Sequence, residues 1–284
     1  MPATPSAAAE HFTGSTAVGE HRLSRGLTEV TLTDGRVVVV KHCDDPGAAR
    51  AEAAGLRWLA AADAVRVPAV HGHDGTWLVT DRVAEGRASA AGAERFGRDL
   101  AALHAAGAPA FGAPPPDGPA EAYIGLAPMR NAPGDTWPEW FAEQRVLPYV
   151  RQAVDGGTLR ADEARTVERV CALLPGLAGP AEPPARLHGD LWNGNVLWDG
   201  DGAAWLIDPA AHGGHRESDL AMLDLFGAPH LDRILAGYQD AAPLADGWRE
   251  RIRLHQLFPL LVHTVLFGRA YAAQAVAAAR SQLT

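Results

Sequence analysis

The chain has 284 residues, 47% of them hydrophobic and 21% charged, with a formal net charge of −9. That length exceeds the roughly 100–200 residues of an average domain, so two lobes around a cleft are as natural as one large core. The acidic balance opposes nucleic-acid binding, which needs clustered Lys and Arg against phosphate, and the ordinary composition excludes a disordered or membrane-embedded chain.

The first stretch, "MPATPSAAAEHFTGSTAVG", lacks the basic start and continuous apolar run of a signal peptide and reads as a loose lead-in. Next, "LTEVTLTDGRVVVVK" alternates and then turns β-branched around Asp34-Gly35, which predicts an antiparallel hairpin ending at Lys41. Of the 25 basic residues, Lys41 is the single lysine. A lysine is a compact point charge that fits where a planar guanidinium does not, so its place at the end of a strand makes it the first functional candidate. A helix is expected over about residues 46–62, beginning near Pro46. On it Glu52, Leu56 and Leu59 share one stripe, so a carboxylate faces inward and calls for a cation, with Lys41 the candidate.

Short strands are expected at about 68–71 and 76–80, followed by "TDRVAEGRAS" as a connector between lobes. A second amphipathic helix, at about 91–106, carries Phe96, Leu100 and Leu103 at helical spacing. From about 108 to 136 the chain is rich in proline and reads as a long loop, a length usually tied to function. Helices resume at about 137–155 and 161–174, and the chain beyond about 217 is mostly helical. In that part "LFPLLVHTVLFGRAYAAQAVAAA" is broken by His263 and Arg269 before it reaches a spanning length, so it reads as two core helices. Cys43 and Cys171 lack metal-type spacing and read as free thiols in a reducing cytoplasm.

The chemistry concentrates in "LHGDLWNGNVLWDGDGAAWLIDP". Val196-Leu197-Trp198 and Trp205-Leu206-Ile207 flank the turn-forming "DGDGA", so a hairpin is expected. Pairing Trp198 with Trp205 puts Asn195 opposite Asp208, with Cβ atoms about 4.5–5.5 Å apart, so that amide and carboxylate share one hard cation such as Mg²⁺. Asp190 stands on the loop entering the hairpin, where its carboxylate can accept a proton from a substrate hydroxyl. The spacing Asp-x-x-x-x-Asn is that of a kinase catalytic loop. Simple turn hydrogen bonds from Asp190, Asn193 and Asn195 are the plainer alternative. They lose force once Lys41, Glu52 and Asp208 are counted in the same order.

The succession Lys41, Glu52, "HGDLWNGN", "IDP" resembles the protein-kinase-like superfamily, in its small-molecule branch with aminoglycoside and choline kinases. Within that branch "LHGDLWNGNVLW", "LIDPAAHGGHRESDLAML", "AYIGLAPMRN" and "LHQLFPLLVHTVLFG" resemble the fructosamine (ketosamine) kinase family. The resemblance implies an α+β, two-lobed protein-kinase-like fold: a small antiparallel-sheet lobe with one helix at residues 1–82 and a mostly helical lobe at 83–284. It also implies ATP- and Mg²⁺-dependent phosphorylation of a sugar hydroxyl on a free or protein-bound ketosamine, of the fructosamine or ribulosamine 3-kinase type. Lys41 would hold ATP phosphates and pair with Glu52, Asp190 would be the base, and Asn195 and Asp208 would hold Mg²⁺. Gly26 is the one glycine where the phosphate loop should fall, and Asp81, Arg82 and Val83 would offer backbone groups to adenine. Asn131, Trp137 and Arg145, with His215, Arg216 and Glu217, lie in segments that match the substrate lobe and are candidate substrate contacts. The second trio, together with Asp219 in the same segment, serves equally as an ion-pair scaffold. His188 is expected to fix the loop, and His212-Gly213 stands where paired aromatics are expected.

Rival classes fall away. The only lysine follows Val40, which excludes a P-loop, and neither Gly-x-Gly-x-x-Gly nor Gly-x-Ser-x-Gly occurs. Nine residues between Asp208 and Ser218 leave no room for a protein kinase's activation segment. The pairs His71/His73 and His212/His215 lack further clustered ligands, which disfavours a histidine metal centre. An aminoglycoside or other amino-sugar phosphotransferase and a nucleotide-binding pseudokinase stay as alternatives. No nucleic-acid or membrane partner is expected, and the protein is expected to be a cytoplasmic monomer.

Overall fold

The computed structural model describes residues 2–283, and the chain opens with a helix, α1 (Pro5–Thr13), and a strand, β1 (Ala17–Ser24), in place of a loose lead-in. Thr4 caps α1 by accepting the Ala7 N–H, and Gly14 ends it at φ 69°. Ala8 and Ala9 are fully buried in the cluster that holds Val30, Val38, Val40 and Val79. A nine-residue helix is too short to stand alone, so it is contact with the sheet that keeps it folded.

β2 (Leu27–Leu32) and β3 (Val37–His42) form the expected hairpin. Alternation sends Val38 and Val40 to one face, into the core, and Val39 and Lys41 to the other, into the cleft. α2 (Pro46–Ala60) follows, capped by Asp45, whose side chain accepts the Gly47 N–H at 2.8 Å. β4 (Val70–His73) and β5 (Trp77–Asp81) complete an antiparallel sheet in the order β1-β2-β3-β5-β4.

α3 (Ala90–Ala105) begins the helical lobe. The proline-rich stretch expected to be loop contains a hairpin, β6 (Glu121–Ile124) and β7 (Ala127–Arg130), joined through Gly125 and Leu126. Four-residue strands with Pro128 inside one of them carry almost no alternation signal, so only pairing and the burial of Ile124 and Met129 reveal them. α4 (Trp137–Trp140), a π-wound stretch (Phe141–Val146) and α5 (Leu147–Asp155) run on from one another, followed by α6 (Ala161–Leu177). Two short antiparallel ribbons carry the segment in which the sequence concentrates candidate site residues: β8 (Ala185–Leu187) pairs with β11 (His212–Gly214), and between them β9 (Val196–Trp198) pairs with β10 (Ala204–Leu206). α7 (Glu217–Phe226), α8 (Leu231–Ala241), α9 (Trp248–His255), α10 (Leu257–Phe267) and α11 (Arg269–Ser281) close the lobe. Gly268, at φ 89°, separates the last two, and no helix among the described residues is long and apolar enough to cross a membrane. The fold is thus α+β and two-lobed. The core of Phe96, Leu100, Leu191, Val196, Leu206 and Tyr238 anchors the β9–β10 ribbon on α3 and α8.

Candidate active site

β3 and α2 bring the first pair together. Lys41 Nζ lies 2.8 Å from Glu52 Oε2 and 3.1 Å from Asp208 Oδ1, so a single ammonium bridges the sheet lobe and the catalytic ribbon. Burial works against the charge on Lys41, but the two carboxylates outweigh it and raise its pKa, so the lysine stays protonated. Burial likewise opposes ionisation of Asp208, and the Lys41 charge reverses that and lowers its pKa.

The ribbon differs by one residue from the expected register. Trp198 pairs with Ala204, not Trp205, and so Ile207 stands opposite Asn195 and donates its N–H to the Asn195 carbonyl at 3.1 Å. Asp208 follows the ladder at φ 52°, a left-handed conformation uncommon outside glycine. The β-ladder therefore does not place the two side chains face to face, and a backbone turn after it brings Asp208 to the same cavity as Asn195. Asn195 donates its side-chain NH₂ to the Asp190 carbonyl at 2.8 Å and to Asp190 Oδ2 at 3.1 Å. The amide oxygen is left as its acceptor. Burial pushes the Asp190 carboxyl up to about 7, opposed by the Asn195 amide and reinforced by the negative Asp208.

The loop carrying Asp190 is held from behind. Asp219, on α7, accepts the backbone N–H of His188 at 2.8 Å and of Gly189 at 2.9 Å, and it also meets His104 Nε2 at 3.2 Å. His188 accepts the Asp190 N–H on Nδ1 at 3.2 Å and donates from Nε2 to the Ile207 carbonyl at 2.9 Å. One buried imidazole, its pKa lowered by burial, thus ties the Asp190 loop to the residue before Asp208. Gly189 sits at φ 83°, and a Cβ there would lie 2.2 Å from the Ala210 carbonyl oxygen, so no other residue fits.

Two cavities meet at this cluster. One, of about 400 Å³, lies between the lobes, walled by Leu27, Val39, Leu78, Leu197 and Ile207 with Val83 at its edge. The other, of about 720 Å³, holds Asp190, Asn195 and Trp192. Lys41, Glu52 and Asp208 line both. Asp81 also lines the first, but its N–H goes to the Ala69 carbonyl and its carboxylate lies 2.7 Å from His71 Nε2. The Val83 N–H has no partner among the described residues. Gly26 lines neither cavity. It occupies a tight turn at φ 78° with its carbonyl accepting the His42 N–H, and its neighbours Ser24 and Leu27 face the first cavity instead.

The six expected substrate contacts are not brought to the cleft. Arg145, fully buried, donates to the Arg130 carbonyl at 2.7 Å and to Asn131 Oδ1 at 2.8 Å, with its guanidinium 4.5 Å over the Trp140 ring. Trp137 stacks between Phe141 and His255. Arg216 is clamped on Glu182 at 2.7 Å, and Arg251 donates from Nε to Glu217 at 2.9 Å. Among the described residues His215, Glu217 and His255 bring ligand-type atoms within 4.8 Å of one another, but Arg251 donates to both Glu217 oxygens and balances that carboxylate. The charged groups among them meet carbonyl, amide or ion-pair partners inside the protein, while Asn131 Nδ2, Trp137 Nε1 and Arg145 Nε are buried without a hydrogen-bond partner among the described residues, and this inward packing suits a scaffold.

A family model described as fructosamine kinase matches residues 30–284. The chain belongs to the fructosamine kinase family. A provisionally named ketoamine kinase from Synechocystis sp. is 36% identical over 232 residues, which cover 80% of this chain and 75% of that protein. A second, from Thermus thermophilus, is 35% identical over 241 residues, 82% of each. The solved structure of a provisionally named fructosamine-3-kinase from Thermobifida fusca superposes with a TM-score of 0.91 at 51% identity, over 98% of both chains. A macrolide 2'-phosphotransferase from Brachybacterium faecium aligns over 96% of both chains with a TM-score of 0.61 at 16% identity, a likeness of fold alone.

As a fructosamine kinase family member the protein is a phosphotransferase, and several residues that build its site were not singled out in the sequence although they lie in segments that resemble the family. Trp192, Tyr123 and Leu126 line the second cavity, and Leu197 and Ile207 wall the first. Only the folded ribbon and the β6–β7 hairpin show that they line a cavity. Asp219 did have a signal, since it sits in the segment whose resemblance to the family is strong, but only the hydrogen bonds to His188 and Gly189 show what it holds. The donor set at Asn195 and Asp208 is oxygen only, with the Asn195 oxygen free of its NH₂ contacts. That set fits a hard divalent cation of the Mg²⁺ type.

Proposed function

We propose that this protein transfers the γ-phosphoryl group of ATP to a sugar hydroxyl of a ketosamine, of the fructosamine or ribulosamine 3-kinase type. The observation that carries the proposal is the meeting of two cavities at Lys41, Glu52 and Asp208, with Asp190 and Asn195 in the second. A donor site and an acceptor site joined at one ammonium is the arrangement that phosphoryl transfer needs.

The apolar slot of Leu27, Val39, Leu78, Leu197 and Ile207 suits a purine, and the unpartnered Val83 N–H gives it a hydrogen bond. Lys41, fixed by Glu52, presents a point charge to phosphate oxygens. Asn195 and Asp208 would hold Mg²⁺, which when bound would neutralise charge at the phosphates. Asp190 takes the proton of the acceptor hydroxyl, held for it by Asn195 on one oxygen and by the His188 and Asp219 bonds behind the loop. Catalysis is mainly positioning and charge stabilisation, in a cleft whose carboxylates Asp44, Asp45 and Asp190 suit the cationic amine of a ketosamine. The lobe boundary is placed after Arg82, at the edge of the nucleotide slot. The free thiols Cys43 and Cys171 support a reducing, cytoplasmic setting, in which the protein acts as a monomer without nucleic-acid or membrane partners.

An ADP-release screen over ketosamines, aminoglycosides and choline tests the proposal. Turnover with a ketosamine and Mg²⁺ is expected. No turnover there, with rapid turnover of an aminoglycoside, moves the substrate to the sister branch. Nucleotide binding without turnover of any acceptor leaves a pseudokinase.

A further inference from the structure

Several of the most exposed large apolar side chains lie beside the acceptor cavity. Leu126 is 86% exposed at the tip of the β6–β7 hairpin, Phe267 64%, Trp192 40% and Phe226 38%. Leu126 and Trp192 line that cavity themselves. From Trp192 the aromatic surface runs outward ring by ring. Trp192 lies 6.0 Å from Phe226, Phe226 5.2 Å from His263, and His263 5.3 Å from Phe267 and 4.9 Å from Tyr271.

The backbone builds this strip on purpose-shaped joints. Gly194 lies against the Trp192 ring, where a Cβ would be 2.2 Å from a ring carbon, so glycine at this position leaves room for the indole. Gly268 breaks the α10–α11 helix pair directly after Phe267, which leaves that ring on the outer corner and not in the core. His263 is kept neutral by burial and turns its Nδ1 to the Pro259 carbonyl at 2.6 Å, so the strip carries no charge of its own. A contiguous exposed apolar patch joined to a ligand cavity marks a contact surface, since a soluble protein gains nothing by leaving it to water.

We propose that this strip is a specificity surface for the carrier of the sugar, and that it receives apolar residues flanking a sugar-bearing lysine in a peptide. The inference rests on the ketosamine reading above. The sugar enters past Trp192 toward Asp190, the cationic amine faces Asp44 and Asp45 at the cavity's edge, and the peptide lies outward over Phe226, Phe267 and Tyr271. A free sugar amine without a substituent is too small to reach the outer rings. Four aromatic rings beyond the cavity therefore select among carriers and leave the transferred phosphoryl group untouched.

The test compares a glycated lysine peptide with Phe or Leu on both sides of the lysine against the same peptide with Ser on both sides. The wild type is expected to favour the apolar peptide by roughly three- to tenfold, through KM and not kcat, the scale of one or two aromatic contacts. Phe267→Ala and Phe226→Ala are expected to remove the preference while leaving the Ser-flanked peptide unchanged. Phe267 is largely exposed, so its truncation opens no cavity, and an unchanged melting temperature checks that. Equal kcat/KM for the two peptides in the wild type, or a preference that survives both variants, overturns the inference. If no glycated peptide is phosphorylated, the ketosamine reading fails separately. The strip is then judged by calorimetry with the unglycated Phe-flanked peptide: binding that Phe267→Ala abolishes upholds it, and no difference between variant and wild type overturns it.

Discussion

Two polar clusters lie on either side of the Asp190 loop, and they were built from the same residue types to opposite ends. In front, Lys41, Glu52, Asp190, Asn195 and Asp208 open onto two cavities with hydrogen-bonding capacity unspent. Behind, Arg145 pairs with Asn131, Arg251 with Glu217 and Arg216 with Glu182, and none of the six lines either cavity, although Asn131 Nδ2 and Arg145 Nε stay buried without partners among the described residues. Charge alone therefore does not make a site. What separates the two is whether the charged atoms open onto a cavity that something from outside can enter.

The front cluster should lose chemistry and keep its fold when broken. Asp190→Asn is expected to lower kcat by about 10²–10⁴-fold, the usual scale for a general base, with nucleotide affinity retained in a binding titration. An unchanged rate removes the assigned base. Lys41→Arg keeps the charge but replaces a point with a planar fork, and a loss of roughly 10²-fold in kcat/KM is expected from misplaced phosphate contacts. Wild-type activity in that variant means that a compact charge is not needed at this position.

The rear cluster should do the reverse. Glu217→Gln strands the buried Arg251 without its carboxylate, which is expected to cost about 3–5 kcal/mol of stability, read by denaturant unfolding, while nucleotide affinity of the folded fraction is unchanged. A variant as stable as the wild type but catalytically dead moves Glu217 to the front cluster. The smallest effect is expected at Glu163, which joins the start of α6 to Arg269 at the start of α11 at 2.6 Å. The Arg269 guanidinium holds this carboxyl down, from 4.5 to about 2. A depressed carboxyl contributes stability that is complete above pH 4.5 and is lost as pH falls toward 2. Because its arginine partners are half exposed, Glu163→Gln should cost only about 1 kcal/mol at neutral pH, with the gap to wild type closing across that acid window.

Much of the front cluster was legible beforehand because it rests on local rules. Asp34-Gly35 with its β-branched flanks predicts the hairpin that carries Lys41, and the helical spacing of Glu52 with Leu56 predicts an inward carboxylate; the two meet at 2.8 Å. The catalytic ribbon was legible in kind but not in register. A shift of a single residue is invisible when both strands are three residues of mixed apolar type, and the turn after the ladder, with Asp208 at φ 52°, restores a shared cavity that register alone would have lost. The hairpin of β6 and β7 and the helix α1 escaped notice because four-residue strands and an alanine run have no periodicity of their own.

The amino-acid sequence by itself determined which groups can do chemistry and in what order they meet the chain: one lysine, an inward glutamate, an aspartate and an amide five residues apart, and a second aspartate after a ribbon. It also marked most of the individual strands and helices, since alternation and helical spacing are properties of neighbours along the chain, while the α+β fold was what the family resemblance implied. Tertiary structure alone decided that Asn131, Trp137, Arg145, His215, Arg216 and Glu217 turn to partners away from the two cavities while Trp192 lines one of them and Phe226 and Phe267 are exposed to solvent. The reason is that orientation toward solvent depends on which distant elements pack against a residue. Spacing along the chain carries no record of that.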